Sequence, residues 1–213
     1  MKEKLVEIYN DFTHESYAVV GEKEKLTYSD WNNKGLAHNE LGNSQEAIGC
    51  CDKALEINRR DAKAWNNKGI ALASLGNLPE AIRCYDKALE INSREAKAWN
   101  NKGIILLTLG KYQEAIRCYD KALEINPRYD RAWNNKGVAL GNLGNSHNAI
   151  GCCDKALEIN PRFFEAWNNK GIALKNLGKF PEAIECYERF MEFAPPEYAS
   201  HVEKIKQIIN QLK

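Results

Sequence analysis

Tryptophan occurs five times in the 213 residues, at Trp31, Trp65, Trp99, Trp133 and Trp167, each 34 residues after the last. Each opens the same phrase, Trp-Asn-Asn-Lys-Gly. This fixed period limits the fold more than any other feature, because a unit so short cannot bury its own apolar face and must stack on its neighbours. Stacked small units present a long surface rather than a deep catalytic pocket. Within one period, Trp99, Ile105, Leu106 and Leu109 recur at helical spacing and Gly110 stops the run. Ala115, Ile116, Tyr119, Ala122, Leu123 and Ile125 form a second helical run, which Asn126 and Pro127 close. Each unit therefore reads as two antiparallel helices. First helices are expected near 28–41, 62–75, 96–109, 130–143 and 164–177, second helices near 45–57, 79–91, 113–125, 147–159 and 181–193.

Lysine plus arginine total 30 against 29 aspartates plus glutamates, a net charge of +1. That balance argues against a general nucleic-acid or membrane-surface binder, which needs a basic excess or stripe. Hydrophobic residues at 44% are enough for a folded core. Residues 1–20 contain no apolar run of signal-peptide type, and no stretch has the roughly 18–20 apolar residues of a membrane span. A cytoplasmic location is the expectation. Of the seven cysteines, Cys50, Cys84, Cys118, Cys152 and Cys186 share one column, with Cys51 and Cys153 beside it. Equivalent helices of a stack lie on the order of 10 Å apart, beyond the roughly 7 Å Cα limit of a disulfide. Free packing thiols in a reducing compartment are expected.

The columns resemble the tetratricopeptide repeat (TPR) signature of a Trp, a Leu-Gly pair, a Tyr, an Ala, an aromatic and a Pro at fixed offsets. The Trp column is complete. Gly35, Gly69, Gly103, Gly137 and Gly171 form the glycine column, and Ala47, Ala81, Ala115, Ala149 and Ala183 the alanine column. Tyr85, Tyr119 and Tyr187 form the aromatic column, with Cys51 and Cys153 in the other two copies. Pro127, Pro161 and Pro195 close three of the five copies. The resemblance covers residues 28–197 and implies a right-handed all-α TPR solenoid of five helix-turn-helix repeats. The repeats are 28–61, 62–95, 96–129, 130–163 and 164–197, flanked by an N-terminal helical cap segment at 1–27 and a C-terminal capping helix at 198–213. The small residues let the two backbones approach, and Trp and Tyr fill the space between units. Five buried tryptophans, each costing about 3–5 kcal/mol when cut to Ala, are expected to dominate stability.

One departure from the family recurs. Lys34, Lys68, Lys102, Lys136 and Lys170 stand where the family usually has leucine. Each stem is expected to pack while its ammonium reaches out to a carboxylate such as Asp52 or Glu56. Toward the C-terminus, Val202, Ile205, Ile209 and Leu212 form one stripe, read as a solvating helix with a dimerisation helix as the rival. Toward the N-terminus, Leu5, Ile8, Tyr9 and Phe12 suggest a helix over the first unit, and Thr27 with Asp30 a capping box.

In the family the first helices line a concave groove that binds extended peptides. Carried over by column, that resemblance puts Asn32, Asn66, Asn100, Asn134 and Asn168 in the groove, with Asn33, Asn67, Asn101, Asn135 and Asn169 beside them. Ile70, Ile104 and Val138 would form its floor, while Lys63, Lys97 and Arg131 would favour acidic residues in the guest. A carboxamide carries a donor and an acceptor, matching the N–H and C=O of an extended backbone. The second asparagine of each pair is similar to the asparagine ladder in the TPR region of O-linked N-acetylglucosamine transferases. The competing use of these amides is to tie one unit to the next. The Lys/Asn and Lys/Arg clamp of chaperone-tail binders is not matched. No nucleophile, phosphate loop or metal-spaced His/Cys set is present, so neither an enzyme nor a cofactor is expected. The expected function is a protein-interaction scaffold. A self-assembling oligomer, built through repeat ends, the convex face or the C-terminal helix, is the alternative.

Overall fold

The structure, a computed structural model, describes residues 26–212. The expected N-terminal helix and the segment Thr13–Lys25 lie outside the described residues. Within them the chain is all-α, with eleven α-helices and one short 3-10 turn. Five hairpins follow in order: α1 (Tyr28–Glu40) with α2 (Ser44–Ile57), α3 (Ala62–Ser74) with α4 (Leu78–Ile91), α5 (Ala96–Thr108) with α6 (Tyr112–Ile125), α7 (Asp130–Asn142) with α8 (Ser146–Ile159), and α9 (Phe164–Asn176) with α10 (Phe180–Phe193). A 3-10 turn, Pro196–Tyr198, then leads into α11 (Ala199–Leu212). The chain divides into two compact units, Met1–Arg94 carrying α1–α4 and Glu95–Lys213 carrying α5–α11.

Local chemistry fixes where the helices begin and end. At the start of α1, Thr27 and Asp30 form the expected capping box: the Asp30 amide donates to Thr27 Oγ1 at 3.3 Å and the Thr27 amide to Asp30 Oδ2 at 2.9 Å. Asp61 accepts from the Lys63 and Ala64 amides at the start of α3. Each first helix ends at a glycine with positive φ, between 71° at Gly178 and 80° at Gly42. A side chain there would be strained, so the turn into the second helix requires glycine.

In both units, first and second helices pack against each other within a hairpin, and within a unit a second helix packs on the first helix that follows it. The closest approach within a hairpin is at the glycine column. A Cβ on Gly103 would lie 2.5 Å from the Tyr119 ring, and one on Gly69 would lie 2.6 Å from the Tyr85 ring. Tyr85, Tyr119 and Tyr187 are fully buried and, with Phe190, are the largest side chains so enclosed. The tryptophans are half-buried, which corrects the expectation that all five are buried. Each packs one side on the alanines and leucines between hairpins: Trp31 and Trp65 meet Ala54, Leu55 and Ala64, and Trp133 and Trp167 meet Ala156, Leu157 and Ala166. The indole N–H groups of Trp133 and Trp167 donate to the Pro127 and Pro161 carbonyls at 2.9 Å.

A lysine three residues on lies over each indole, at 5.5 Å from the Trp133 ring and 5.7 Å from the Trp65 ring. The same ammonium reaches an aspartate of the preceding second helix. Lys68 pairs with Asp52, Lys136 with Asp120 at 2.6 Å and Lys170 with Asp154 at 2.7 Å. The departure from leucine thus gives these three hairpin junctions a cation held between a ring and a carboxylate. In α11, Ile205 and Ile209 are buried against Leu174, Tyr187 and Phe190 of the last hairpin, with Val202 and Leu212 packed beside them.

Candidate functional site

The asparagine pairs sit midway along the first helices, where neighbouring first helices run side by side. Asn67 Nδ2 donates to Asn32 Oδ1 at 2.9 Å, Asn135 Nδ2 to Asn100 Oδ1 at 3.1 Å, and Asn169 Nδ2 to Asn134 Oδ1 at 2.9 Å. The second amide of one hairpin thus donates to the first amide of the hairpin before it, and these bonds form a ladder. Asn32, Asn67, Asn100 and Asn134 are buried. In the first unit, Asn39 Nδ2 also donates to the Asn67 carbonyl at 2.9 Å. A buried carboxamide needs such partners. The expectation that these four carboxamides present themselves to a guest is therefore corrected: they join hairpins, the competing use.

What remains open lies around them. Asn33, Lys63, Lys97 and Arg131 are exposed, while Asn66, Asn101, Asn135, Asn168 and Asn169 are half-buried. Ile104 is 38% exposed, as Leu36 and Ile172 of the same column are at 41%, and Ile70 and Val138 are half-buried. In the second unit these residues border a hollow of about 670 Å³ on the side formed by α5, α7 and α9. It brings together six expected residues: Asn100, Asn101, Ile104, Arg131, Asn134 and Asn135. Lys97, Val138, Asn168 and Asn169 are outside its lining. Asn32, Asn33, Lys63, Asn66, Asn67 and Ile70 belong to the first unit.

The hollow also contains residues that the column reading passed over. Tyr129, Phe163 and Phe164 form an aromatic wall, and Asp130, Asn160 and Arg162 supply polar groups, beside Glu165, which ends the column of Lys63, Lys97 and Arg131. Tyr129 and Phe163 occupy the N-cap positions of α7 and α9, where the first two hairpins have Thr27 and Asp61. Neither aromatic caps its helix, and a lost cap costs about 0.5–2 kcal/mol. That break in a polar column was the signal in the sequence. Asp130 is fully engaged: Oδ1 accepts from the Arg131 amide at 2.8 Å and Oδ2 from Asn160 Nδ2 at 3.2 Å. The Arg162 guanidinium stacks 5.6 Å from the Phe193 ring. Burial pushes the Tyr129 phenol above its ordinary value, so it is a neutral hydrogen-bonding group at physiological pH.

Models of the tetratricopeptide repeat match residues 29–61, 62–94, 96–129 and 130–163, and a second model of the same repeat matches 152–185. The chain belongs to the tetratricopeptide repeat family. Comparison with curated proteins finds no match. Among solved structures, Pseudomonas aeruginosa PilF aligns over 87% of this chain and 88% of its own, at 22% identity and a TM-score of 0.75. MamA from Desulfovibrio magneticus RS-1, residues 41 to the end, aligns over 78% of this chain and 94% of its own, at 22% identity and a TM-score of 0.69. At that identity the likeness is one of fold. As a TPR chain, the protein has the architecture of a protein-interaction scaffold. The described residues of this TPR chain include no helix long and apolar enough to cross a membrane.

The TPR cysteines are packing groups. All seven are buried. Burial pushes the thiols of Cys51 and Cys153 up to about 12 and those of Cys84 and Cys186 up to about 11. Thiols held so far from ionisation are inert at neutral pH.

Proposed function

We propose that the chain is an adaptor that holds an extended segment of a protein partner against α5, α7 and α9. The observation that carries this reading is the hollow itself. It combines an apolar floor at Ile104, an aromatic wall at Tyr129, Phe163 and Phe164, and amides at Asn101 and Asn135. Asn135 commits one N–H to Asn100, which leaves its oxygen and second N–H for a guest backbone. A neutral hydrogen bond contributes about 0.5–1.5 kcal/mol, and micromolar binding takes about 8 kcal/mol. A few amide contacts plus burial of Ile104 and the aromatic faces reach that range. The apolar stripe of α11 lies on the last hairpin, which favours an adaptor over a chain that self-assembles through that helix.

Ile104→Glu puts a charge on the floor without touching the ladder. Partner recovery from an extract of the native host is expected to fall about tenfold or more, by the 1.4 kcal/mol-per-decade relation, with melting temperature and oligomeric state unchanged. Arg117→Glu, at an exposed position on α6, serves as the control and retains the partner. Full recovery with Ile104→Glu would rule out the hollow as the binding surface.

A further inference from the structure

The hollow of the second unit contains two charged groups that the fold leaves uncommitted, and they are of opposite sign. Arg131 is exposed, and its guanidinium enters no ion pair among the described residues. Glu165 lines the same hollow, half-buried and without an ion pair among the described residues, while its Oε2 is covered by the protein and accepts no hydrogen bond. Of the other charged groups there, Asp130 accepts hydrogen bonds from the Arg131 amide and Asn160, and Arg162 stacks on the Phe193 ring. Arg131 and Glu165 are 34 residues apart and hold the same position in consecutive repeats. In that column Lys63, Lys97 and Arg131 are followed by Glu165, so the sign reverses only at the last hairpin.

A half-buried carboxylate that no cation among the described residues pairs is costly unless a guest brings a positive group to its open side. An aromatic face beside it is a favourable seat for the alkyl stem and charge of lysine or arginine. From these observations we infer that the partner segment is bipolar: an acidic residue faces Arg131, and a lysine or arginine faces Glu165 against the wall of Phe163 and Phe164. This adds a basic residue to the acidic ones that Lys63, Lys97 and Arg131 would favour. Equivalent helices of neighbouring repeats stand on the order of 10 Å apart, and an extended strand advances about 3.3 Å per residue. The two charges in the guest are therefore about three residues apart. The fixed order of Arg131 and Glu165 along the stack sets the direction in which the segment lies. This inference rests on the adaptor reading above and specifies the partner's chemistry.

The test uses the full chain and fluorescence anisotropy with labelled extended peptides rich in valine and threonine. One peptide carries aspartate three residues before lysine, one carries the reverse order, and one has asparagine and glutamine in their places. One charged order is expected to bind about tenfold more tightly than the neutral peptide and than the reverse order, the effect of a 1.4 kcal/mol preference. The double variant Arg131→Glu with Glu165→Lys is expected to exchange the preferences for the two orders. Arg131→Glu alone, at an exposed position, is expected to shift preference to a doubly basic peptide. Equal binding of charged and neutral peptides, or an order preference unmoved by the double variant, overturns the bipolar inference and leaves the adaptor reading standing. Failure of every peptide to bind at millimolar concentration overturns both.

Discussion

The third and fourth hairpins have the same backbone plan and different fillings. In the third, Gly103 of α5 faces Tyr119 of α6, and a Cβ on the glycine would lie 2.5 Å from the ring. In the fourth, Gly137 of α7 faces Cys153 of α8, and the same addition would lie 3.2 Å from its sulfur and from the Ala149 carbonyl oxygen. Both fillers are buried almost completely. The glycine column therefore sets the approach of two helices, and the residue opposite sets how much volume that approach must hold. A tyrosine fills the space up to the glycine backbone, whereas a cysteine leaves a contact that is tight but that a shift of a few tenths of an ångström relieves.

The comparison is sharpest when the fillers are removed. Tyr119→Ala is expected to destabilise the protein by about 3–5 kcal/mol, the range for emptying a large aromatic site. Cys153→Ala should lose only about 1 kcal/mol, close to one buried methylene-sized group. Urea midpoints at constant slope measure both, and equal losses would show that the two hairpins are filled alike. Smaller effects are expected on the glycine side. Gly103→Ala should cost about 1–3 kcal/mol through overpacking against a ring that cannot move away. Gly137→Ala should stay below about 1 kcal/mol, because the gain in helix propensity of Ala over Gly offsets a mild contact. A loss at Gly137 as large as that at Gly103 would put the constraint in the backbones rather than in the filler. Smallest of all is Tyr119→Phe. The Tyr119 hydroxyl is buried without a partner, so its removal is expected to be neutral or to stabilise by up to about 1 kcal/mol. A clear loss in thermal or urea unfolding would reveal a bound water at that oxygen.

Much of this was legible in the residues, for reasons that differ from element to element. Trp, Gly and Ala at fixed offsets set helix pairs because helical periodicity and glycine stops are local properties. The Thr27–Asp30 box and the Lys68–Asp52 pair were legible because each rests on short-range chemistry or on a column repeated in register. The asparagines were harder. Consecutive residues on a helix point about 100° apart, so one member of each pair must turn further inside. The repeated phrase is identical in every copy and does not say which. That choice depends on how one first helix lies on the next. The half-burial of the tryptophans escaped for the same kind of reason, because the lysine over each indole takes space that a deeper ring would need. The aromatic wall was concealed by position: Tyr129 and Phe163 stand in a column read for caps rather than for contacts.

The ladder has a bearing on how such a chain changes length. Each rung joins an oxygen on one copy to a nitrogen on the following copy, and Asn169 bonds Asn134 as Asn135 bonds Asn100. The lysine–aspartate pairs are handed on in the same sense, from Lys136 to Asp120 and from Lys170 to Asp154. Excising residues 130–163 would bring Asn169 to Asn100 and Lys170 to Asp120, so that the amide rung and the lysine–aspartate pair are both kept at the new junction. Gene-level gain or loss of whole modules can therefore lengthen or shorten the protein without stranding an amide or a cation, whereas an indel of any other size breaks several links at once.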